Sequence, residues 1–583
     1  FALTAAGAFV LGCTLARLAG QTFKRANSLA GILAALFVAG IGNLQEIRVM
    51  GGAWATLGGI DGGVNALEAT ARGFGQWLMG SPLPMYSMTP YWDATRIHPS
   101  VPIAEFPLFT FLYADLHAHM IAMPLVLLAF GFAIAFAKNA VNWKSILLGS
   151  LVVGALYPTN SWDYPTLLLL CLAGIVIGVL NAKNDNGEAM PRPYVKLVLS
   201  IAAFALLTRA WFAPFYANFG QAYNAVDLWA GERTPLDVYA KIYAIFLIPI
   251  GLYLLSGAWR TLSALAETRQ YRWVIFGVGL GAISMAAGGA LTMRGIPVAL
   301  AALPMAAAAF LAALSPGTAP SRRLMWLTAA GAITLTLAVE IIVLRGDIGR
   351  MNTVFKFYVQ VWLLLGVIAA PVSIWLMARH RWAAPLVAAL VLGGLVYPAF
   401  AIPAKMNDRI SEAAPRGLNG EIYMQTAQRT EPGHPPAQPE NTFALSSDYE
   451  AILWLRQNAQ GSPTIIEGTT NPDLYRWGNR MSIYTGLPSV IGWWWHENQQ
   501  RASLPYSIVA DRERDVSEFY STNDPDLAKQ IALRYDARYV ILGDLEKTYY
   551  PAKGLLKFEA LAHSGFLRVA FRNAGTTVYE VVR

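Results

Sequence analysis

The chain has 583 residues, is 55% hydrophobic and only 14% charged, and carries a formal net charge of +8. A soluble chain of this length exposes far more charge, so the composition excludes an ordinary soluble globular protein and points to a membrane class. The positive balance does not signify nucleic acid, because most Lys and Arg sit in short joints between apolar runs.

A hydrocarbon core about 30 Å thick needs roughly 20 apolar residues as a helix. Runs of that kind lie near 3–20, 28–44, 118–137, 145–158, 165–181, 195–213, 241–258, 273–290, 296–314, 325–343, 355–377 and 384–402, twelve in all. The run at 145–158 is short and ends at Tyr157-Pro158. Both cysteines, Cys13 and Cys171, fall inside such runs, which leaves no disulfide framework and no Cys-based zinc site.

Alternate joints carry the basic residues: Lys24 and Arg25; Lys138 and Lys144; Lys183, Arg192 and Lys196; Arg260, Arg269 and Arg272; Arg322 and Arg323; Arg379 and Arg381. With twelve spans every one of these joints faces the cytoplasm, and one missed helix would reverse the later ones. The loops 45–117, 158–165, 214–240 and 344–354 and the tail after 402 then lie outside, and the protein is a multi-pass protein of the cell membrane. Phe1 also falls outside, so a chain that starts in the cytoplasm has an odd number of helices before it.

Residues 1–402 thus read as a polytopic α-helical transmembrane domain, and 403–583 as an extracytoplasmic α/β domain rich in turns. In the tail an amphipathic helix is expected at 448–459, strands at 463–467 and 538–543, a helix at 525–535 and a hairpin turning at Asn573-Ala574-Gly575.

The stretch Tyr91 to Met120 holds the most unusual chemistry, with Arg96, then Glu105-Phe106-Pro107, then Asp115-Leu116-His117-Ala118-His119. Ionisable groups where a loop enters a membrane helix are costly and mark a site. On a helix Asp115 and His119 share a face at i, i+4, and His117 points elsewhere unless the backbone there is extended. A carboxylate here suits a general base towards a hydroxyl, with His assisting or binding phosphate. Asp115, His117 and His119 also have the chemistry to ligate a divalent metal. The plainer alternative is an interfacial cluster that caps the helix.

Arg345-Gly346-Asp347 and Arg350-Met351-Asn352-Thr353-Val354-Phe355-Lys356 place basic residues in an outer loop, against the orientation rule. An anionic ligand such as a lipid phosphate would offset them, with Arg350 as a fork, Lys356 as a point charge and Asn352 as a neutral donor. Pairing with Asp347 or with lipid headgroups is the competing explanation. Asn160-Ser161-Trp162-Asp163 offers one carboxylate, Asp163, in an aromatic turn, while Asp227, Glu232, Arg233 and Asp237 read as solvated charges. In the tail, Gly492-Trp493-Trp494-Trp495-His496-Glu497 and Arg501 set aromatic faces beside hydrogen-bonding groups, as sugar rings require. The competing explanation is a Trp patch that packs the tail onto the membrane.

These segments, together with Thr485-Gly486-Leu487-Pro488, Tyr520 and Tyr549-Tyr550, make the sequence similar to the "YYY" family of multi-pass membrane proteins of bacteria and archaea along nearly its whole length. Such proteins resemble the GT-C superfamily of integral-membrane glycosyltransferases, which use polyprenyl-phosphate sugars and an acidic residue in an early outer loop. The resemblance implies that role for Asp115 or Glu105, a polyprenyl-phosphate-linked sugar as donor, and a glycan, lipid or protein as acceptor. Arg350 and Lys356 are then expected to hold the departing phosphate, and Trp493, His496 and Arg501 to help with the acceptor. No Gly-rich Lys-Ser/Thr nucleotide loop occurs, which agrees with a preformed donor. The rivals are a lipid or saccharide transporter, which calls for mid-membrane charges and repeat symmetry, and a structural subunit of a membrane complex.

Overall fold

The computed structural model describes the chain except residues 19–23, 183–192, 221–224, 268–270, 316, 346–349, 433–439, 502–503 and 583. Asp347 and the joint residues Lys183, Arg192 and Arg269 therefore lie outside the described residues. The chain divides into two compact units, residues 1–217 with 223–409, and 218–222 with 410–583.

In the first unit the described part of each of the twelve apolar runs is mainly helical, from Ala2–Leu18 to Ala383–Arg409, and the run 325–343 ends in the strand Ile342–Leu344. Among the described residues seven helices are long and apolar enough to cross a membrane, or eight if the bent pair Arg25–Gly40 and Gln45–Leu57 is one span. Ala2–Leu18 and Ala299–Leu314 are shorter, and a 16-residue helix rises only about 24 Å. Length and composition thus establish a multi-span protein. Met351–Arg379 is the central helix, with 83% of its apolar window buried against neighbours, compared with 17% for Pro193–Ala210 and for Trp273–Met293. Close helix approach rests on small residues, as apolar surroundings require. A Cβ at Gly178 would stand 1.9 Å from the Phe136 carbonyl oxygen, and one at Gly12 2.6 Å from that of Ala30.

The second helix ends in a π-turn, Leu36–Gly40, and the chain bends by 61° before Gln45–Leu57. Protein groups satisfy the backbone of this break, which lipid cannot do. Trp362 Nε1 donates to the Phe37 carbonyl (3.0 Å), Gly42 N to Gly394 O (2.9 Å), and Asn43 Nδ2 to Ala94 O (2.8 Å).

Gln45–Leu57 and Ala66–Leu78 then form a tight helical hairpin, held to Ala383–Arg409 through Trp54, Phe74, Trp77 and Phe400. The hairpin closes only over glycine: a Cβ at Gly73 would sit 1.8 Å from the Trp54 carbonyl oxygen, and one at Gly58 1.9 Å from that of Ala69. Gly73→Ala is expected to force the helices apart and to destabilise the protein by about 1–3 kcal/mol. Thermal unfolding in detergent reads this directly, and an unchanged midpoint would contradict the close packing.

The loops 214–240 and 344–354 meet in a two-stranded antiparallel sheet, Val226–Leu228 with Ile342–Leu344. Of the charges expected to be solvated, Asp227, Glu232 and Asp237 have exposed side chains, and Asp227 and the half-buried Arg233 find partners across the sheet. Arg345 grips Asp227 with two bonds (2.9 and 2.7 Å), and Arg233 Nε donates to Glu340 O (3.0 Å).

The second unit is built on a four-stranded sheet in the order Thr464–Ile466, Ala537–Leu542, Thr577–Val581, Leu567–Arg572, the first pair parallel and the others antiparallel. Helices Ser446–Asn458 and Pro525–Arg534 lie where amphipathic patterning places them. The last two strands turn at Asn573, whose Oδ1 accepts from Thr576 N (2.8 Å). The core includes a fully buried Arg480 held by Asp448 (2.5 Å) and Glu546 (3.0 Å), so Arg480 supports the fold.

Candidate functional site

Glu105 is positioned from both sides by packing. Phe106 is buried against Trp362 (ring centroids 5.3 Å apart) and Tyr397 (4.7 Å), and Pro107 begins the short helix Pro107–Tyr113. That helix stops at Ala114, a non-glycine residue at φ 58°. A left-handed backbone there costs about 1–2 kcal/mol and turns the chain so that the helix Ala118–Ala137 enters alongside.

The turn reassigns the Asp-His-His group. The helix begins at Ala118 and His117 is extended (φ −82°, ψ 151°), so Asp115 and His119 do not share a helical face. Extended backbone pairs residues two apart instead, and Asp115 bonds His117 Nδ1 at 2.5 Å with both side chains about half exposed. His119 turns inward and is 5% exposed. No three His, Cys, Asp or Glu side chains converge among the described residues, so Asp115, His117 and His119 are not gathered as a metal triad.

His119 joins a buried polar chain. Its Nε2 lies 3.7 Å from Glu105 Oε2 and 3.4 Å from Thr110 Oγ1, which itself donates to Glu105 at 3.4 Å. Its Nδ1 lies 3.5 Å from Lys356 Nζ. A lysine ammonium only donates, so Nδ1 accepts and Nε2 carries the hydrogen that faces Glu105. Phe355 packs edge-on to the imidazole (4.6 Å) and fixes its plane.

The charges around Glu105 are opposed. Its side chain is 14% exposed, and burial pushes the carboxyl up to about 7. Arg96, Lys356 and the Thr110 hydroxyl pull it down, and Asp115 adds a smaller upward push. Arg96 stands 4.0 Å away, stacked on Trp92 at 4.2 Å. Lys356 also acts electrostatically on the buried Asp163, which Asn160 Nδ2 holds at 2.8 Å. One turn beyond Lys356, Gln360 donates to Trp162 O (3.0 Å) and ties the two helices together.

Glu105, His119, Lys356, Arg96 and Asp163 are therefore brought together from four separate segments, while Asp115 and His117 stand at the exposed rim. Arg350 is placed differently from the expected phosphate ligand: it is 2% exposed, paired with the fully buried Glu340, and it donates to Thr234 Oγ1 (3.1 Å) and Glu232 O (3.0 Å). Both terminal nitrogens of its guanidinium are bonded within the protein, while its buried Nε has no partner among the described residues. Asn352 sits half-buried in the first turn of Met351–Arg379. In the second unit His496 Nε2 lies 3.0 Å from Tyr475 OH, Trp493 packs edge-on to Tyr475 (5.1 Å), and Arg501 pairs with Glu497.

Sequence reasoning passed over Glu46 and Lys405. Glu46 is fully buried, and neither of its carboxyl oxygens has a hydrogen-bond partner among the described residues. A carboxylate directly after the apolar run 28–44 was the available signal. Lys405 is buried over the rings of Tyr91 (4.6 Å) and Tyr113 (5.7 Å) and pairs with Asp408 (3.2 Å), and a lone basic residue at the end of the last apolar run gave only a weak hint of it.

A model of the family described as "Uncharacterized membrane protein (DUF2298)" matches residues 1–365, and the chain belongs to that family. The expected membership of a multi-pass membrane-protein family therefore holds. No curated protein matches the chain. Among solved structures the chain is similar to the oligosaccharyltransferase AglB of Archaeoglobus fulgidus in complex with an inhibitory peptide and a dolichol-phosphate, at 10% identity and a TM-score of 0.28, with 92% of this chain and 57% of that one covered. An Archaeoglobus fulgidus oligosaccharyltransferase in complex with Zn and sulfate is matched at 10% identity and a TM-score of 0.29, over 92% of this chain and 54% of that one. The chain spans little more than half the length of these proteins, and at such scores the likeness carries no argument about fold or activity.

Proposed function

We propose that the protein is an integral-membrane glycosyltransferase that moves a sugar from a polyprenyl-phosphate donor to an acceptor on the extracytoplasmic face. The observation that carries this reading is the buried chain from Glu105 through His119 to Lys356, a base and a cation about 3.5 Å on either side of one imidazole. Glu105 takes the proton of the acceptor hydroxyl as the hydroxyl oxygen attacks the anomeric carbon. The anomeric carbon–oxygen bond to phosphate breaks, and its electron pair departs on the polyprenyl phosphate. Lys356 stabilises the charge that develops there, and Asp163 keeps the ammonium in place. His119, donating from Nε2, orients the Glu105 carboxylate, and Arg96 closes the other side. A site where the outer loop 45–117 enters the membrane helices suits a lipid-linked donor, since the leaving group stays in the bilayer.

The test is turnover of a synthetic polyprenyl-phosphate sugar by protein reconstituted in lipid, read as release of polyprenyl phosphate in the presence of cell-envelope acceptor extract. Wild type is expected to release it, Glu105→Gln to lose the release, and Asp115→Asn to keep it within about threefold, because Asp115 lies at the solvated rim. Full loss in Asp115→Asn with retention in Glu105→Gln would exchange the roles of the two carboxylates. No release from any polyprenyl-phosphate sugar would remove the reading.

A further inference from the structure

The second unit contains a cleft of about 610 Å³ that the membrane site does not use. It lies beside the parallel pair of strands, Thr464–Ile466 and Ala537–Leu542. Thr469 and Pro472 line it from the loop after the first strand, and Tyr550 lines it from the segment after the second. Crevices beyond the carboxyl ends of parallel strands are where open α/β sheets take ligands. Helix Ser507–Ser521 supplies the opposite wall, with Ala510, Glu513 and Ser517 on one face, and Trp494 and Asn498 come from one face of the helix Trp494–Gln500.

Two polar groups in this cleft are left without partners. Trp494 Nε1 is buried and makes no hydrogen bond among the described residues. Glu513 has neither a hydrogen bond nor an ion pair there, and burial alone pushes its carboxyl up to about 7. Its basic neighbour Arg514 is turned to Asp511 (2.9 Å) and Asp515 (3.8 Å). With its one lining cation committed, the cleft is ill suited to a phosphate or another anion. The polar groups distributed among its aromatic rings make it unsuited to a lipid chain. Flat rings at Trp494 and Tyr506, interleaved with a carboxyl, an amide and hydroxyls, match the apolar faces and hydroxyl edges of sugars.

We propose that the cleft bounded by Trp494, Asn498, Tyr506, Glu513 and Tyr550 binds a neutral oligosaccharide. The sugar faces stack on Trp494 and Tyr506, and the hydroxyls bond Glu513 and Asn498. This goes beyond the transferase reading and stands without it, since a sugar-binding cleft needs no turnover in the membrane unit.

The experiment uses the full chain in phosphatidylcholine nanodiscs, titrated with mannotriose, maltotriose and chitotriose, and followed by tryptophan fluorescence and saturation-transfer NMR. At least one sugar is expected to bind saturably. Glu513→Gln and Tyr506→Ala are each expected to weaken it about tenfold or more, as loss of a charged hydrogen bond or an aromatic contact does. Lys529→Ala, on the far helix, is expected to bind as wild type does. Tyr506 is exposed, so its variant keeps the test valid if a Trp494 variant fails to fold. Absence of saturable binding by all three sugars overturns the proposal, as does binding that neither substitution weakens. Saturable binding of an unglycosylated peptide pool with no sugar binding also overturns it. A failure of donor turnover leaves each of these outcomes readable.

Discussion

Glu105→Gln should cut the rate of glycosyl transfer by roughly 10²–10⁴-fold, the range that a positioned general base contributes. The protein should stay folded, because the amide keeps the size of the carboxyl and still accepts from Thr110. The wild-type pH profile supplies the sign. A base acts in its ionised form, and burial holds the Glu105 carboxyl at about 7. The rate should therefore rise about tenfold per pH unit below 7 and level off above it. Stability runs the other way. The folded protein binds the Glu105 proton more tightly than the unfolded chain, whose carboxyl titrates near 4.5, so stability falls as pH rises from about 4.5 to about 7. Activity and stability thus respond in opposite directions through one carboxyl, and Glu105→Gln should flatten the rate profile and remove the Glu105 share of the stability change in that window. A profile that is flat between pH 5 and 8 would exclude Glu105 as the base.

Arg350→Ala should destabilise the membrane unit by about 3–5 kcal/mol, because it leaves Glu340 buried without its cation. The pair is 2% and 0% exposed, and only the Thr234 N–H (3.0 Å) and hydroxyl (2.7 Å) would remain to hold the carboxylate. The double variant Arg350→Met with Glu340→Gln removes both charges and keeps an acceptor for Thr234. It should recover most of the lost stability and also the donor turnover. Thermal unfolding and turnover measured on the same preparations separate two roles for Arg350. A double variant that is stable but has a strongly raised KM for the polyprenyl-phosphate donor would restore Arg350 as a phosphate ligand. Recovery of both leaves that role to Lys356.

The contrast between Arg350 and Lys356 is instructive about what can be read in the chain. Six residues apart, both look like cations against the orientation rule; Lys356 is the sharper case because it opens an apolar span, but local sequence does not show that Arg350 has a partner. Glu340, the partner of Arg350, lies ten residues earlier, at the end of an apolar run. Only the two-stranded sheet joining loops 214–240 and 344–354 adds Glu232 and Thr234 to the same guanidinium. The Asp-His-His group is a similar case. Its spacing fits a helical face or an extended pair equally well, and the left-handed Ala114 with the helix start at Ala118 selects the second.

By itself the sequence determined the membrane class, the helices on the twelve apolar runs and part of the pattern of elements in the tail, while the helices Gln45–Leu57 and Ala66–Leu78 lay in what it read as an outer loop. Those properties follow from hydrophobic runs and local periodicity, which act over a turn or a few residues of chain. It also marked Glu105, His119, Lys356 and Asp163 as out of place in apolar surroundings, since a misplaced charge is visible without any fold. Only the tertiary structure decided which of the marked groups meet. Burial and electrostatic pairing depend on segments as far apart as His119 and Lys356, brought within 3.5 Å by the packing of helices around Met351–Arg379. The same packing turned Asp115 outward and closed Arg350 onto Glu340, because whether a charge is solvated, paired or left for a ligand is settled by neighbours that sequence spacing does not name.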